Sequence, residues 1–92
     1  MGKKRLHAIV HGRVQGVFFR EYTRRKAEEL GLDGWVRNLP DGTVETVVEG
    51  DESMVDIMRQ WLYEGSPHSS VTAVDYREEE PEGELRGFAI RY

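Results

Sequence analysis

Two apolar stripes with helical spacing, each placed between segments of strand character, constrain the fold of this chain more than any other feature. The first stripe has spacings of four, four and three residues and consists of Phe19, Thr23, Ala27 and Leu30. The second stripe comes after a segment with the pattern of a β-hairpin and consists of Met54, Val55, Met58, Trp61 and Leu62. Such spacing places the apolar side chains on one face of a helix. The sequence therefore predicts two amphipathic helices that end near Gly31 and Gly65 and need an apolar surface to cover.

Five segments around these helices show the alternation or the turn signals of β-strands. They cover residues 5–11, 35–39, 43–49, 71–76 and 88–92, while residues 78–84 are predicted to form a solvated loop. Pro40-Asp41-Gly42 is a turn that joins the second and third strands into a hairpin. The order βαββαβ with a short extra C-terminal strand predicts an α+β, ferredoxin-like sandwich, in which two helices cover one face of an antiparallel sheet. Enzymes, RNA-binding proteins and ligand sensors share this architecture, so the fold alone assigns no function.

Length and charge narrow the class of protein. A chain of 92 residues fits one domain, 1–92, around a single core. Its formal net charge of −4 disfavours nucleic-acid binding, and the absence of cysteine excludes thiolate chemistry. No apolar run reaches the ~20 residues of a membrane span, and the basic start precedes a strand, not a signal-peptide core. We therefore expect a cytoplasmic monomer with no nucleic-acid or membrane partner.

The most informative motif is the stretch of residues 12–20, which joins the end of a strand to the start of a helix. Gly12 and Gly16 allow the backbone to fold tightly, so that N–H groups point inward beside the positive end of the helix. Arg20 adds a planar, permanently charged guanidinium that suits phosphate oxygens. A Walker loop is excluded, because Val17 and Phe18 follow Gly16. These residues suggest a phosphate site, although glycine spacing alone favours a plain structural turn.

Two blocks of the sequence resemble those of acylphosphatases. The first block is Val10-x-Gly12-x-Val14-Gln15-Gly16-Val17-x-Phe19-Arg20, and the second is Gly34-Trp35-Val36-x-Asn38 followed by Asp41-Gly42-x-Val44-Glu45. The spacing of the blocks and the total length also agree with this family. The resemblance therefore covers residues 6–92 and is far more specific than a glycine pattern.

The resemblance implies a hydrolase that splits the carboxyl–phosphate anhydride of an acyl phosphate and releases phosphate, with no cofactor and no metal. It implies that Arg20 binds the substrate phosphate and that Asn38 orients the attacking water. It further implies a loop whose backbone amides bind the phosphate, formed by Val14, Gln15, Gly16, Val17, Phe18 and Phe19. Gly65-Ser66-Pro67 departs from the pattern of many relatives, in which proline directly follows glycine, and we expect this departure to affect only a loop.

Other interpretations remain beside this one. The main alternative is a non-catalytic ferredoxin-like module that binds a small phosphorylated ligand, and a third is a similar domain that binds an acyl phosphate for another purpose. A metal site at His7 and His11 is disfavoured, because a strand holds these residues about 13 Å apart at ~3.3 Å per residue. The sequence leaves open whether Arg13 assists phosphate capture. Phe18 and Phe19 cannot both face inward from the start of a helix, so one of them is expected to border the phosphate pocket.

Overall fold

The computed structural model describes residues 2–92, in which five strands and two helices follow one another in the predicted order. The elements are β1 (Lys3–Arg13), α1 (Phe19–Glu29), β2 (Asp33–Asn38), β3 (Val44–Asp51), α2 (Glu52–Glu64), β4 (Ser70–Glu79) and β5 (Phe88–Arg91). All five strands form one sheet; α1 packs against β2 and β5, and α2 packs against β1, β3 and β4. The predicted α+β, ferredoxin-like fold is confirmed.

The order of the strands in the sheet is β4-β1-β3-β2-β5. The four strands of the predicted sandwich pair antiparallel, whereas β5 runs parallel to β2, so the complete sheet is mixed. Because β1 and β2 both run antiparallel to β3, their carboxyl ends lie at the same edge of the sheet. We call this edge, marked by Arg13, Asn38, Arg91 and Ser70, the Asn38 edge. It gathers the ends of β1, β2 and β5 and the start of β4.

The core lies between the two helices and one face of the sheet. On β1 every second residue is fully buried, as the alternation of a half-buried strand requires: Leu6, Ala8 and Val10. The helices supply buried residues from both predicted stripes: Phe19, Thr23 and Ala27 from α1, and Val55, Met58 and Leu62 from α2. Asp51 caps α2, since its carboxylate accepts the Ser53 N–H at 3.0 Å. The two helical predictions are confirmed.

The fourth strand is longer than the sequence predicted. Glu78 and Glu79 belong to β4, where they pair with Leu6 and Arg5, so their assignment to a solvated loop was wrong. Neither residue is apolar, so the sequence shows no strand-like alternation here. Ion pairs with the neighbouring strand accompany the pairing instead. Arg5 Nε lies 3.2 Å from Glu79 Oε1, and Lys4 Nζ lies 2.8 Å from Glu78 Oε2. Opposite charges on adjacent strands stabilise such a pairing.

Glu49 of β3 fastens the loop of residues 80–87 to the face of the sheet that the helices leave open. Its side chain is buried and accepts the N–H groups of Glu82 at 3.0 Å and Gly83 at 2.8 Å, while Arg5 Nη1 lies 3.2 Å away. Burial raises the pKa of the Glu49 carboxyl, but these N–H groups and the guanidinium outweigh it, so the pKa lies below its ordinary value. The charged carboxylate therefore stabilises the fold.

We expect Glu49→Gln to lower the free energy of unfolding by about 1–3 kcal/mol at pH 7, because one N–H group of the loop loses its acceptor. Since the folded pKa is lowered, the contribution of Glu49 is present above its unfolded pKa and disappears as the pH falls through the folded pKa. Urea unfolding at pH 7 and pH 3 should therefore show a smaller difference between the two proteins in acid. Glu84→Gln, in an exposed part of the same loop, is the control, and equal losses in both variants at pH 7 would contradict this role.

Candidate functional site

A cavity of about 310 Å³ opens at the Asn38 edge of the sheet, between the end of β1 and the start of α1. Arg20 from the first turn of α1 and Asn38 from the end of β2 both line it, although 18 positions separate them in the sequence. Sheet pairing explains why they meet. Val44 of β3 pairs with Val10 of β1 on one side and with Asn38 on the other, which sets Asn38 beside the loop that follows β1. The remaining lining residues are Val14, Gly16, Phe18, Phe19, Glu21, Ile90 and Tyr92.

The loop of residues 14–19, called the 14–19 loop below, presents backbone N–H groups that the described part of the chain leaves unpaired. Within residues 2–92 no carbonyl or side-chain oxygen accepts the N–H groups of residues 15–18, and no side chain caps α1. Gly16 has φ 74° and Phe18 has φ 60°, so the loop turns twice through the left-handed region. Unpaired N–H groups at a helix start form a site of positive potential, which is suited to an anion.

Gly12 allows β1 to reach this loop while it stays paired with β4. Its φ is 121°, and a Cβ atom here would lie 2.1 Å from the Ser70 carbonyl oxygen and 2.8 Å from the Thr72 nitrogen. The pairing of β1 with β4 shifts register between His11 and Gly12 at this point. A residue with a Cβ atom would clash with the backbone of β4 at this position. The first glycine of the motif therefore allows the chain to leave β1 toward the loop.

The side chain of Gln15 ties the 14–19 loop to the turn that follows Asn38. Its Nε2 donates to the carbonyl oxygens of Leu39 and Thr43, both at 2.8 Å. Gln15 is absent from the cavity wall, and the side chain of Val17 is buried in the core. Of the six residues that the sequence predicted for this loop, four line the cavity, whereas these two can face a ligand only through their backbone.

Ser66 fixes the loop from the opposite side. This buried side chain donates its Oγ–H to the carbonyl oxygen of Val17 at 2.8 Å, across 49 positions of sequence. Ser69 Oγ in turn donates to the Ser66 carbonyl at 2.7 Å. Because a trans peptide is planar, its N–H points opposite to its C=O, so the bond from Ser66 also sets the direction of the Phe18 N–H. Gly65-Ser66-Pro67 was expected to affect only a loop, and this contact of Ser66 with the 14–19 loop was not predicted.

Arg20 is held by neighbours at the end of the sheet. Its Nη1 lies 3.4 Å from the carbonyl oxygen of Arg91, and its guanidinium stacks 4.8 Å from the centre of the Tyr92 ring. Glu21 also lines the cavity, but hydrogen bonds from Arg24 and then Arg25 lower the pKa of its carboxyl. These two cations compensate the negative charge of Glu21, which leaves Arg20 available for an anion.

Two further sequence hypotheses concern residues outside this cavity. Arg13 is exposed and does not belong to the cavity wall. His7 Nε2 lies 2.7 Å from Glu45 Oε2, and His11 Nε2 lies 2.8 Å from Asp75 Oδ2. Both histidines thus sit in pairs with carboxylates on the sheet. In the described range, 2–92, no three His, Cys, Asp or Glu side chains are grouped to hold a metal ion.

The fold and the site together define a small α+β protein with an anion-binding loop between a strand and a helix. The family model for acylphosphatase matches residues 6–90. The acylphosphatase of Rubrobacter xylanophilus is 54% identical over 88 residues, which cover 96% of this chain and 80% of that protein. The chain belongs to the acylphosphatase family.

Solved structures show the same likeness. The acylphosphatase from Coxiella burnetii has 45% sequence identity and a TM-score of 0.92, with coverage of 97% of this chain and 93% of that one. The acylphosphatase from Bacillus subtilis has 37% identity and a TM-score of 0.93, with coverage of 97% and 99%. The fold of this chain and its sequence therefore lead to the same family.

Ser66→Ala should weaken the binding of inorganic phosphate about 3- to 10-fold, because one hydrogen bond no longer holds the Val17–Phe18 peptide in place. Ser69→Ala is the matched control, since it removes a hydroxyl from the same loop whose hydrogen bond goes to the Ser66 carbonyl and not to residues 14–19. We expect both variants to lower the melting temperature, and only Ser66→Ala to reduce phosphate affinity in a calorimetric titration. An equal loss of affinity in both variants would contradict a specific role for Ser66.

Proposed function

We propose that this chain is an acylphosphatase, which hydrolyses the carboxyl–phosphate anhydride bond of acyl phosphates to a carboxylate and inorganic phosphate. Its place in the acylphosphatase family supports this activity, since relatives of that name match nearly the whole chain. The observation that carries the proposed mechanism is the meeting of Arg20, Asn38 and the unpaired N–H groups of the 14–19 loop at one cavity.

Binding of the phosphate is the first role in this mechanism. The N–H groups of the 14–19 loop and the guanidinium of Arg20 hold the phosphate oxygens through charge-assisted hydrogen bonds. In phosphoryl transfer, negative charge spreads over the three equatorial oxygens of the transition state. Donors that are already fixed in place stabilise this charge without reorganisation during the reaction. Gln15 and Ser66 support this role, because they hold the loop from two sides.

Orientation of water is the second role, and we assign it to Asn38. Its side-chain amide offers both a donor and an acceptor at the cavity wall, which suits the placing of one water in line with the bond that breaks. The water oxygen bonds to phosphorus while the bond from phosphorus to the carboxylate oxygen breaks, and the carboxylate leaves with that electron pair. Asparagine does not titrate, so a phosphate oxygen of the substrate takes the proton.

The substrate chemistry requires little further help. A carboxylate is a good leaving group, so the site need not activate it, and positioning with charge stabilisation is sufficient. We therefore propose hydrolysis without a metal or cofactor. We also propose that the chain acts as one domain and as a cytoplasmic monomer. Burial of the apolar residues of both helices against the sheet supports the monomer. Neither helix in the described residues is long and apolar enough to span a membrane.

Arg20→Ala and Asn38→Ala should separate the two roles when benzoyl phosphate hydrolysis is measured with EDTA present. We expect Asn38→Ala to lower kcat at least about 100-fold with a nearly unchanged inhibition constant for phosphate. The phosphate-binding loop is retained in this variant, whereas the side chain that orients the attacking water is lost. Arg20→Ala should lower kcat and weaken phosphate inhibition together, since one guanidinium serves both ground state and transition state. The control is Arg86→Ala, an exposed arginine outside the cavity wall.

The outcomes distinguish this mechanism from its rivals. A wild-type kcat in Asn38→Ala would exclude the proposed role of Asn38. Activity that EDTA abolishes would exclude the metal-free mechanism. A folded wild-type protein that binds phosphate but does not hydrolyse benzoyl phosphate would instead support a non-catalytic module for a small phosphorylated ligand.

A further inference from the structure

Phe18 has an unusual combination of conformation and exposure. Within residues 2–92 it is the one non-glycine residue with positive φ, at 60°, a region that glycine and asparagine adopt at a lower steric cost. Phe18 is 75% exposed, whereas the next residue, Phe19, is 1% exposed and belongs to the core. Phe18 thus combines an unfavourable backbone conformation with an apolar ring that is exposed to solvent. Strained residues of this kind concentrate at functional sites.

The position of this ring connects it with the proposed reaction. Phe18 lines the same cavity as Arg20 and Asn38, and so do Ile90 and Tyr92 from the last strand and the residue after it. The cavity wall therefore carries two kinds of groups. The polar ones are the guanidinium of Arg20, the amide of Asn38 and the unpaired N–H groups. The apolar ones, which we call the apolar rim, are Phe18, Ile90 and Tyr92, of which Tyr92 also stacks on Arg20.

The size of the cavity leaves room for more than the phosphate. A water molecule accounts for about 30 Å³ of liquid. The cavity measures about 310 Å³, which exceeds the space that the five heavy atoms of a phosphate group and one attacking water need. The apolar rim forms part of the wall of this larger cavity. An acyl group attached to the bound phosphate has to occupy the remaining space or project past it into solvent.

We propose that the apolar rim binds the acyl part of the substrate and makes the enzyme prefer acyl phosphates with aromatic or other bulky apolar acyl groups. An apolar acyl group gains burial against these three side chains, and an aromatic one also gains a ring contact with Phe18. The acetyl group is too small to gain as much. A structural role explains Phe18 less well, because an exposed ring contributes little to the core. This inference rests on the proposed hydrolysis of acyl phosphates.

The test compares kcat/KM for benzoyl phosphate with kcat/KM for acetyl phosphate in wild type, Phe18→Ala and Phe18→Asn. Both variants remove the ring, and asparagine also tolerates the left-handed backbone, so a change shared by both comes from the ring. We expect the ratio of the two kcat/KM values to fall about 10-fold, the size that a lost apolar contact in a substrate pocket typically produces. Any change that these variants cause in phosphate binding by the 14–19 loop affects both substrates alike and cancels in this ratio. Tyr63→Ala, which removes a half-exposed ring outside the cavity, should change none of these quantities.

Two results would overturn the proposal. An unchanged ratio in both variants would show that the ring does not contact the acyl group. An equal fall for both substrates, together with weaker phosphate inhibition, would show that Phe18 only maintains the shape of the 14–19 loop.

Failure of the hydrolysis itself gives a different result, namely no turnover of either substrate by the folded wild type. The rim is then tested by binding alone, with phenylphosphonate and methylphosphonate as inert probes. Tighter binding of phenylphosphonate that both Phe18 variants abolish would support the rim without catalysis. Equal affinities for the two probes would overturn it.

Discussion

The pairing of β3 with two strands that run in the same direction is the constraint on which the rest of this structure depends. Val44 of β3 pairs with Val10 on one side and with Asn38 on the other, so the ends of β1 and β2 flank β3 at the same edge of the sheet. The start of β4 lies at the same edge, because β4 runs antiparallel to β1. Groups from four separate parts of the chain consequently meet there without a long loop to bring them together.

Periodicity predicted the framework, and the family resemblance pointed to the principal site residues. The stripes that contain Phe19 and Met58 predicted two helices whose buried faces the structure confirms. Arg20 and Asn38 were singled out from a family resemblance, and the structure places both at one cavity. Their chemical roles stay predictions. The motif at the start of the helix also pointed to Arg20, whereas Asn38 was named only because the second block resembles that family.

Contacts between distant segments could not be read in the same way. The donation from Ser66 to the Val17 carbonyl depends on how the end of α2 and the start of β4 sit against the 14–19 loop, and no local pattern encodes this distance. Gln15 is similar, since its two acceptors belong to a turn more than 20 positions away. The strand residues Glu78 and Glu79 were missed because ion pairs, not apolar alternation, accompany their pairing.

The parallel pairing of β5 with β2 has a consequence for local opening of the site. This strand has four residues, pairs with β2 alone within residues 2–92, and forms one border of the sheet. Short border segments detach locally at a lower free energy than the whole fold. Detachment of β5 would carry Ile90 away from the cavity and release Arg20 from the Arg91 carbonyl and the Tyr92 ring, while the 14–19 loop and Asn38 stay in place. A bulky carboxylate would then leave sideways, while the N–H groups of the 14–19 loop still hold the phosphate.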